Sequence, residues 1–486
     1  MSFKEKMQQL KEKIKQTKLS KKQKVWITVG SILLVIVLTL SIVMGVAVAE
    51  SKRDQTVASG TLSMLGNLIR CKKGVDYQTF GDDALYPVEN FRVSMSAMNH
   101  WENGTDYAKY DYIYSDANGH TATDLKSLQE MFNAYGATEM YVRINTTRHY
   151  PEESVNDYYH ARMHCLDESL KACAVAAELD MPINVELGCF AAYSDAFESQ
   201  YPDFSEYPEL DGVYPVDDAG KRKEWKTLTI EEICRVLTAY GKLVATEVKN
   251  LGCKVEYWDL GNETNYGFGG VMMPLDSAVS KATSKSFWIT YLKKGFGADW
   301  LAKNIWCYNG QMFAALAAGI KEVYPEAKFS SHISTVTWGP DYTVKYFKTL
   351  AENGYKVDQA GISYYPNATG VILDKIAQIK QIVLAVNKEL GVNVMLAEYG
   401  YANETGLASG TFASWNNEVH GYKLTDEDGA RFLKELITWG RKNGMAGIRP
   451  WAPELDWANP WFDFDNEKKT ATAKQAIFDA LKEAVQ

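Results

Sequence analysis

Two acidic residues, each at the end of an apolar run, are the positions in this sequence best suited to chemistry. Glu263 ends the run "VEYWDLGNE" from residue 255 and follows Asn262 directly, and Glu398 ends "VNVMLAE" from residue 392. A pair of carboxyl groups can divide the work, one donating a proton while the other attacks an electrophilic carbon. A lone glutamate at a strand end is more often solvated or salt-bridged, so this interpretation depends on a fold that brings the two together.

The reaction that such a pair predicts is cleavage of a glycosidic bond with retention of configuration. One carboxyl group protonates the leaving oxygen, the other forms a covalent glycosyl-enzyme, and the two stand about 5 Å apart. A third carboxylate, Glu186 in "VELG", lies deeper within its own apolar run. The 13 Trp, 29 Tyr and 18 Phe residues would suit sugar stacking, although aromatic rings also fill protein cores.

Eight apolar, strand-like runs alternate with amphipathic, helix-like stretches. The runs begin at residues 91, 139, 182, 255, 328, 360, 392 and 444. Eight consecutive βα units predict a closed (β/α)8 TIM barrel, whose substrate sites lie at the carboxyl ends of the strands. Long insertions over 191–229 and 267–303 follow two of these ends. An open doubly wound sheet is the alternative, but no glycine-rich phosphate loop follows the first run.

The first 49 residues predict a membrane anchor that is separate from the globular part. Residues 1–24 carry nine lysines against two glutamates, and residues 25–49 contain no charged residue. About 20 apolar residues cross a bilayer as a helix, and a lysine-rich flank stays in the cytoplasm, which places the remaining chain outside the cell. The alternative is secretion after signal-peptide cleavage, because "AVA" ending at Ala49 has the small-residue form of a cleavage site.

Four segments follow from these patterns. They are a basic cytoplasmic segment (1–24), a transmembrane signal anchor (25–49), a spacer and entry segment (50–88), and a (β/α)8 glycosidase domain (89–486). Without the +7 of the first segment, the overall charge of −9 becomes −16, which gives no electrostatic basis for binding nucleic acid. The seven cysteines lack the CxxC spacing of metal sites, and their disulfide pairing stays open.

Taken together, these segments resemble the clan A retaining glycoside hydrolases, and most of all family 53, the arabinogalactan endo-β-1,4-galactanases. "GNETNYG" resembles the acid/base segment of that family, and "MLAEYGY" resembles its nucleophile segment. "AGISYYP" and "SSHIS" are similar to its sixth and fifth strands, "HGYKLTDEDGARFLKEL" to its last loop and helix, and "RPWAPELDW" to its terminal strand. The similarity extends in order over most of residues 91–470.

The resemblance implies Glu263 as general acid/base and Glu398 as nucleophile. It also implies that Asn262 hydrogen-bonds the sugar 2-hydroxyl and that Arg143 holds the nucleophile ionised. The further substrate-binding positions that it implies are Tyr364, Trp451, His332 and Asp195. An ordinary buried salt bridge is the alternative role for Arg143, and plain core packing is the alternative for the two aromatic residues.

Three departures from the family pattern fall at substrate-contacting positions. Ala192 replaces a histidine three residues before Asp195, and Ala452 replaces a glutamate on the last strand. After Arg143 the chain reads "INTTRHY", where the family has a second arginine and a tryptophan. The carboxylate pair is intact, so the departures bear on the substrate and not on the reaction.

The predicted reaction requires no cofactor and no metal. A structural calcium ion occurs in a late loop of some relatives, and here the sequence offers oxygen ligands without predicting such a site; they belong to Asn403, Asn416, Asn417 and Glu418. The expected partners are a polysaccharide substrate and, through the N-terminal helix, the membrane. The alternative functions are a clan A glycosidase for another β-glycan, a non-catalytic surface glycan-binding barrel, and a tethered scaffold. Binding alone would need neither carboxylate.

Overall fold

The computed structural model describes most of the chain from residue 76 onward. The described residues are 8, 76–95, 97, 112–149, 164–191, 201–272, 298–336, 338–368, 372–404, 415–456 and 458–486. Within these ranges no helix is long and apolar enough to cross a membrane. The predicted anchor over residues 25–49 and the predicted binding residue Asp195 lie outside the described residues.

Eight parallel strands close into a barrel, in the order β1-β8-β7-β6-β5-β4-β3-β2. The strands are β1 (Arg92–Met95), β2 (Glu139–Ile144), β3 (Pro182–Leu187), β4 (Lys254–Leu260), β5 (Phe329–Ser334), β6 (Gln359–Tyr364), β7 (Asn393–Tyr399) and β8 (Met445–Pro450). Each strand coincides with one of the eight apolar runs, so the prediction of a (β/α)8 barrel is confirmed and the open sheet is excluded.

Helices surround the barrel and cover the outward faces of its strands. They are α1 (Leu125–Ala134), α2 (Leu166–Glu178), α3 (Ile230–Asn250), α4 (Cys307–Lys321), α5 (Pro340–Glu352), α6 (Lys375–Leu390), α7 (Asp426–Asn443) and α8 (Gln475–Val485). A reciprocal capping box between Thr229 and Glu232 begins α3. Both α6 and α7 end at glycines with positive φ, Gly391 and Gly444, as the sequence predicts.

The segment before β1, residues 76–91, forms a strap along α6 and α7. At its start the amide of Gln78 donates to Asp374, the N-cap of α6, at 2.7 Å. Near its end the amide of Tyr86 donates to the carbonyl of Lys442, close to the C-terminus of α7, at 3.1 Å. Helices that follow parallel strands begin at the carboxyl end of the barrel. The strap therefore runs from the carboxyl end to the opposite end, where β1 begins.

A small second sheet lies beyond the barrel, next to α8. Its four short strands have the order Phe462–Asp465, Thr470–Ala473, Ile113–Ser115 and Thr121–Ala122. Phe462 packs edge-on against Phe478 of α8, with ring centroids 5.3 Å apart. This sheet joins the chain after β1 to the chain after β8, which are far apart in sequence.

Candidate active site

Three charged side chains form one layer inside the barrel near its carboxyl end. The strand register pairs Arg143 of β2 with Glu186 of β3, and Glu186 with Asp259 of β4. All three are buried. Side chains of a strand alternate between its two faces, so the apolar neighbours of each charge pack toward the helices. The register therefore brings the three charged side chains together in one buried polar layer.

Arg143 connects this layer to the mouth of the barrel. Its Nε lies 2.6 Å from Oε1 of Glu186, and its Nη2 donates to Oδ1 of Asn262 at 3.0 Å. The same Nη2 lies 3.6 Å from Oε1 of Glu398. The two alternative roles of Arg143, a buried salt bridge and a contact with the proposed nucleophile, are thus both present. One guanidinium group reaches both Glu186 and Glu398.

His332 of β5 is a second buried cation. Its Nδ1 lies 3.1 Å from Oδ2 of Asp259, and its Nε2 lies 3.0 Å from Oδ1 of Asn262. Burial disfavours the charged ring, but the negative charge of Asp259, followed by those of Glu186 and Glu398, outweighs burial and raises the pKa of His332 to about 9. The ring is therefore protonated at neutral pH, and both of its nitrogens donate.

These donors determine the orientation of the Asn262 amide. Its Oδ1 accepts from both Arg143 and His332, at 3.0 Å each. The NH2 group is consequently on the other side of the amide, away from these two cations. An amide held in this way presents a donor, the group that a sugar hydroxyl oxygen would need.

Arg449 of β8 completes the layer from the opposite wall. Its Nη2 donates to Oδ1 of Asn184 at 2.8 Å, and its Nη1 lies 3.5 Å from Asp259 and 3.6 Å from Glu186. Sequence reasoning missed both Arg449 and Asp259. The available signal was a charged residue directly between apolar residues, in "GIRPW" and "YWDLG", because a buried charge requires a partner.

The buried cluster is electrically balanced when the proposed nucleophile is ionised. Its three cations are Arg143, Arg449 and His332, and its three anions are Glu186, Asp259 and Glu398. Potential metal-ligand atoms of Glu186, Asp259 and His332 lie within 4.8 Å of one another. Guanidinium groups already neutralise this acidic group, so the residues present do not fit a metal ion.

Glu398 faces the barrel because of a shift in the strand register. Ile362 of β6 pairs with Leu396 of β7, but the next residue, Ser363, pairs with Glu398, so Ala397 is the extra residue. Leu396 is buried on the outward face, and simple alternation would turn Glu398 outward as well. A local irregularity of this kind re-aims a side chain, and here it directs a carboxylate into the site.

The environment of Glu398 balances burial against hydrogen bonding and charge. The side chain is 6% exposed, and its Oε2 accepts from the hydroxyl of Tyr365 at 2.9 Å. Burial raises the pKa of Glu398, whereas the positive charges of His332 and Arg143 act in the opposite direction. The net direction is upward, so the two cations limit the effect of burial on this carboxyl group.

Tyr364 lies outside the site, which corrects the prediction that it contacts substrate. Its hydroxyl donates to the carbonyl of Lys375 at 2.8 Å, and its ring stacks at 6.5 Å on Phe432 of α7. Alternation along β6 turns Tyr364 toward the helices and places the next residue, Tyr365, at Glu398. Two adjacent tyrosines gave no sequence signal for which one faces inward.

Glu263 lies at the tip of β4 in a left-handed backbone conformation, with φ 43° and ψ 52°. The preceding Gly261 has φ +84°, and a Cβ atom there would lie 2.5 Å from Cγ2 of Thr264. Burial, followed by the negative charges of Glu398 and Glu263, raises the pKa of the Tyr365 hydroxyl. Both predicted carboxylates therefore act on one tyrosine at the same barrel mouth.

Of the remaining predicted residues that the structure describes, Trp451 lies at this mouth, and the asparagines considered as calcium ligands lie in the connection between β7 and α7. Trp451 directly follows β8, is partly exposed, and donates its backbone amide to the carbonyl of Tyr399 at 2.9 Å. In the loop considered for calcium, the amide groups of Asn403 and Asn417 donate to the carbonyls of Pro460 and Asn367, at 3.4 and 3.3 Å.

The model of glycosyl hydrolase family 53 matches residues 217–486, which is more than half of the chain. The chain belongs to glycosyl hydrolase family 53. The matched part of this family 53 enzyme includes β4 to β8 and both Glu263 and Glu398, and it begins after β3. The predicted resemblance and the predicted class of enzyme, a glycoside hydrolase, are confirmed. Family 53 glycosidases work without a cofactor, in agreement with the sequence prediction.

Solved structures share the fold of this family 53 enzyme. A family 53 catalytic domain from Ignisphaera aggregans aligns with a TM-score of 0.57 and 19% identity, over 82% of this chain and 97% of that domain. One of two fungal β-1,4-galactanases aligns with a TM-score of 0.56 and 12% identity, over 80% of this chain and 99% of the galactanase. No curated protein is significantly similar in sequence. At these identities the structural likeness establishes the fold alone.

Proposed function

We propose that this family 53 enzyme cleaves β-1,4-galactan within the polysaccharide chain, with retention of anomeric configuration. The observation that carries the proposal is the position of Glu263 and Glu398 at the ends of β4 and β7, where both act on the Tyr365 hydroxyl. Galactan is favoured as the substrate because a structure with the same fold is a fungal β-1,4-galactanase.

In the first step Glu398 attacks the anomeric carbon while Glu263 donates its proton to the leaving oxygen. The bond from carbon to the leaving oxygen breaks as the bond to the Glu398 carboxylate forms. Tyr365 holds the attacking carboxylate through its hydrogen bond to Oε2. Arg143 and His332 favour the ionised form of that carboxylate, which is the nucleophilic form.

In the second step the ionised Glu263 accepts a proton from water, whose oxygen attacks the anomeric carbon and releases Glu398. Two inversions at one carbon retain the configuration. The Asn262 NH2 group, oriented by Arg143 and His332, donates to the sugar 2-hydroxyl. Hydrogen bonds to the 2-hydroxyl are stronger in the transition state of glycoside cleavage than in the ground state, and this one therefore lowers the barrier.

Another β-glycan is the second candidate substrate, and one residue favours it. Ala452 occupies the position at which the family carries a glutamate, and it is fully buried with φ 45°. The methyl group at this left-handed position offers no oxygen to a sugar hydroxyl. Loss of that acceptor next to Trp451 alters substrate recognition without touching the carboxylate pair.

The test is to assay the purified chain on β-1,4-galactan, arabinogalactan, β-1,4-xylan and β-1,4-mannan, with NMR detection of the first anomer released. We expect cleavage of galactan within the chain, and the new reducing end should first appear as the β anomer. Glu263→Gln and Glu398→Gln should each lower kcat by about 10³-fold or more, whereas Glu467→Gln, at an exposed turn, should keep full activity. Unchanged turnover in both variants, or an α product, would contradict the mechanism. Cleavage of xylan or mannan alone would establish the second candidate.

We also propose that residues 25–49 anchor the enzyme in the cell membrane, with the barrel outside the cell. The support is the uncharged run of 25 residues after a segment with nine lysines. Secretion after cleavage near Ala49 is the alternative, and the two differ in whether the mature enzyme keeps the apolar run.

A further inference from the structure

Asn265, two residues after Glu263, ties the tip of β4 to the adjacent strand. Its side chain is fully buried. Oδ1 accepts from the backbone amide of Ser334 at 2.7 Å, and Nδ2 donates to the backbone carbonyl of the same residue at 2.9 Å. Ser334 is the last residue of β5. One amide group thus forms two hydrogen bonds between the strands where their regular pairing has ended.

The backbone of the same turn is held by further buried groups. The amide of Asn265 donates to the carbonyl of Glu263 at 2.7 Å. The indole Nε1 of Trp306 donates to the carbonyl of Asn265 at 2.7 Å, and Nδ2 of Asn309 donates to the carbonyl of Thr264 at 3.1 Å. Three consecutive residues of the turn are therefore fixed, and Asn265 takes part through both its side chain and its backbone.

The backbone conformation of Glu263 requires such a restraint. A residue with a Cβ atom disfavours φ 43° and ψ 52°, and such a conformation persists only where neighbouring contacts enforce it. If the turn were released, the backbone of Glu263 would relax toward a right-handed or extended conformation. Its carboxyl group would then move from the position at which its charge acts on the Tyr365 hydroxyl.

We infer that Asn265 is a positioning residue for Glu263, which it holds where the leaving oxygen of the substrate arrives. It touches neither substrate nor the reacting atoms and acts through the backbone of the turn. The inference rests on the proposed function, in which Glu263 is the general acid. It assigns to Asn265 an effect on proton donation that a purely structural residue would not have.

The dependence of kcat/KM on the leaving group distinguishes a positioning role of Asn265 from a purely structural role. A 2,4-dinitrophenyl glycoside needs no proton on its leaving oxygen, whereas an unsubstituted phenyl glycoside depends on the general acid, whose contribution is about 10²- to 10⁴-fold. Asn265→Ala should therefore lower kcat/KM for the phenyl glycoside by about 100-fold and that for the dinitrophenyl glycoside by less than about 5-fold. The alkaline limb of its pH profile should also flatten. Both glycosides carry the sugar that the wild-type enzyme cleaves.

Asn443 provides a matched control at the opposite end of the barrel. It is also fully buried, its Oδ1 accepts from the amide of Leu85 at 3.1 Å, and its Nδ2 donates to the carbonyl of Asp83 at 2.7 Å. Asn443→Ala should lower the melting temperature as Asn265→Ala does. Its ratio of kcat/KM for the phenyl glycoside to kcat/KM for the dinitrophenyl glycoside should stay at the wild-type value.

Glu263→Ala, assayed in parallel, distinguishes failure of the inference from failure of the proposed function. A selective loss on the phenyl glycoside in both Glu263→Ala and Asn265→Ala supports the inference. A selective loss in Glu263→Ala, with equal losses on both glycosides in Asn265→Ala, overturns the inference and leaves the function intact. No leaving-group dependence in Glu263→Ala overturns the proposed function and the inference with it.

Discussion

At the scale of single residues, the main feature of this site is a buried carboxylate, Glu398, which the proposed mechanism requires in its ionised form. Burial raises the pKa of Glu398, and the charges of His332 and Arg143 oppose that effect. His332 can do so because Asp259 helps to raise its pKa to about 9. The ionisation of Glu398 therefore depends on neighbouring strands as well as on its own burial.

The pH dependence of the reaction should report this balance. In the proposed mechanism ionised Glu398 is the reactive form, so activity should fall as the pH falls through its pKa. Arg143→Met removes a positive charge 3.6 Å from Oε1 of Glu398. The pKa of Glu398 should rise further, and the acid limb of kcat/KM should move to higher pH by about one unit or more. Kinetics from about pH 3 to about pH 8, a range that starts below the ordinary glutamate pKa of about 4.3 and extends well above it, measure the shift.

Arg143→Lys is the control for this shift, because it keeps the positive charge while it loses the forked geometry. Its acid limb should stay within a few tenths of a unit of the wild-type limb, even if its rate is lower. An acid limb of Arg143→Met that stays in place or moves to lower pH would show that Arg143 does not govern the ionisation of Glu398.

At the scale of elements, the strap of residues 76–91 packs aromatic side chains against the barrel domain. Phe80 is 3% exposed, and its ring lies 5.4 Å from that of Phe432 and 6.2 Å from that of Trp439. Tyr77 stacks on His420 at 4.3 Å, in the connection between β7 and α7. The sequence predicted only a spacer and entry segment here, because short segments without periodicity carry no sign of what they pack against.

Phe80→Ala should destabilise the barrel domain through the cavity that it leaves between the strap and α7. Removal of a buried aromatic ring typically lowers the free energy of unfolding by about 3–5 kcal/mol. Leu85→Ala on the same strap is the matched control, because Leu85 is 61% exposed, and its effect should stay within about 0.5 kcal/mol. Urea denaturation followed by tryptophan fluorescence measures both. Equal effects of the two substitutions would show that the strap does not pack as described.

At the scale of the whole molecule, the proposed anchor determines where the enzyme works. Expressed in a bacterial or eukaryotic host with its own N-terminus, the full chain should remain with the membrane fraction after a high-salt wash, and external protease should reach the barrel. A chain that lacks residues 25–49 should be found in the soluble fraction inside the cell. Release of the full chain into the medium with a new N-terminus near residue 50 would contradict the anchor and support secretion.

The sequence by itself determined the barrel of this family 53 enzyme, and it indicated the two carboxylates on which the proposed function depends. Apolar runs separated by amphipathic stretches are local signals, and eight of them in a row favour a closed barrel. The Asn-Glu pair of residues 262 and 263 and the glutamate at 398 also stand out locally, because each ends an apolar run. A resemblance to family 53 was readable from the same segments, and the family match confirms it.

Only the tertiary structure decided which side chains face the site. The extra residue Ala397 turns Glu398 inward, and the alternation of β6 selects Tyr365 over Tyr364. The two hydrogen bonds from Asn265 to Ser334 are likewise absent from any sequence pattern. Each depends on how neighbouring strands are aligned, and a shift of one residue reverses the direction of every side chain that follows. Strand alignment is set by packing between distant segments, so local sequence cannot specify it.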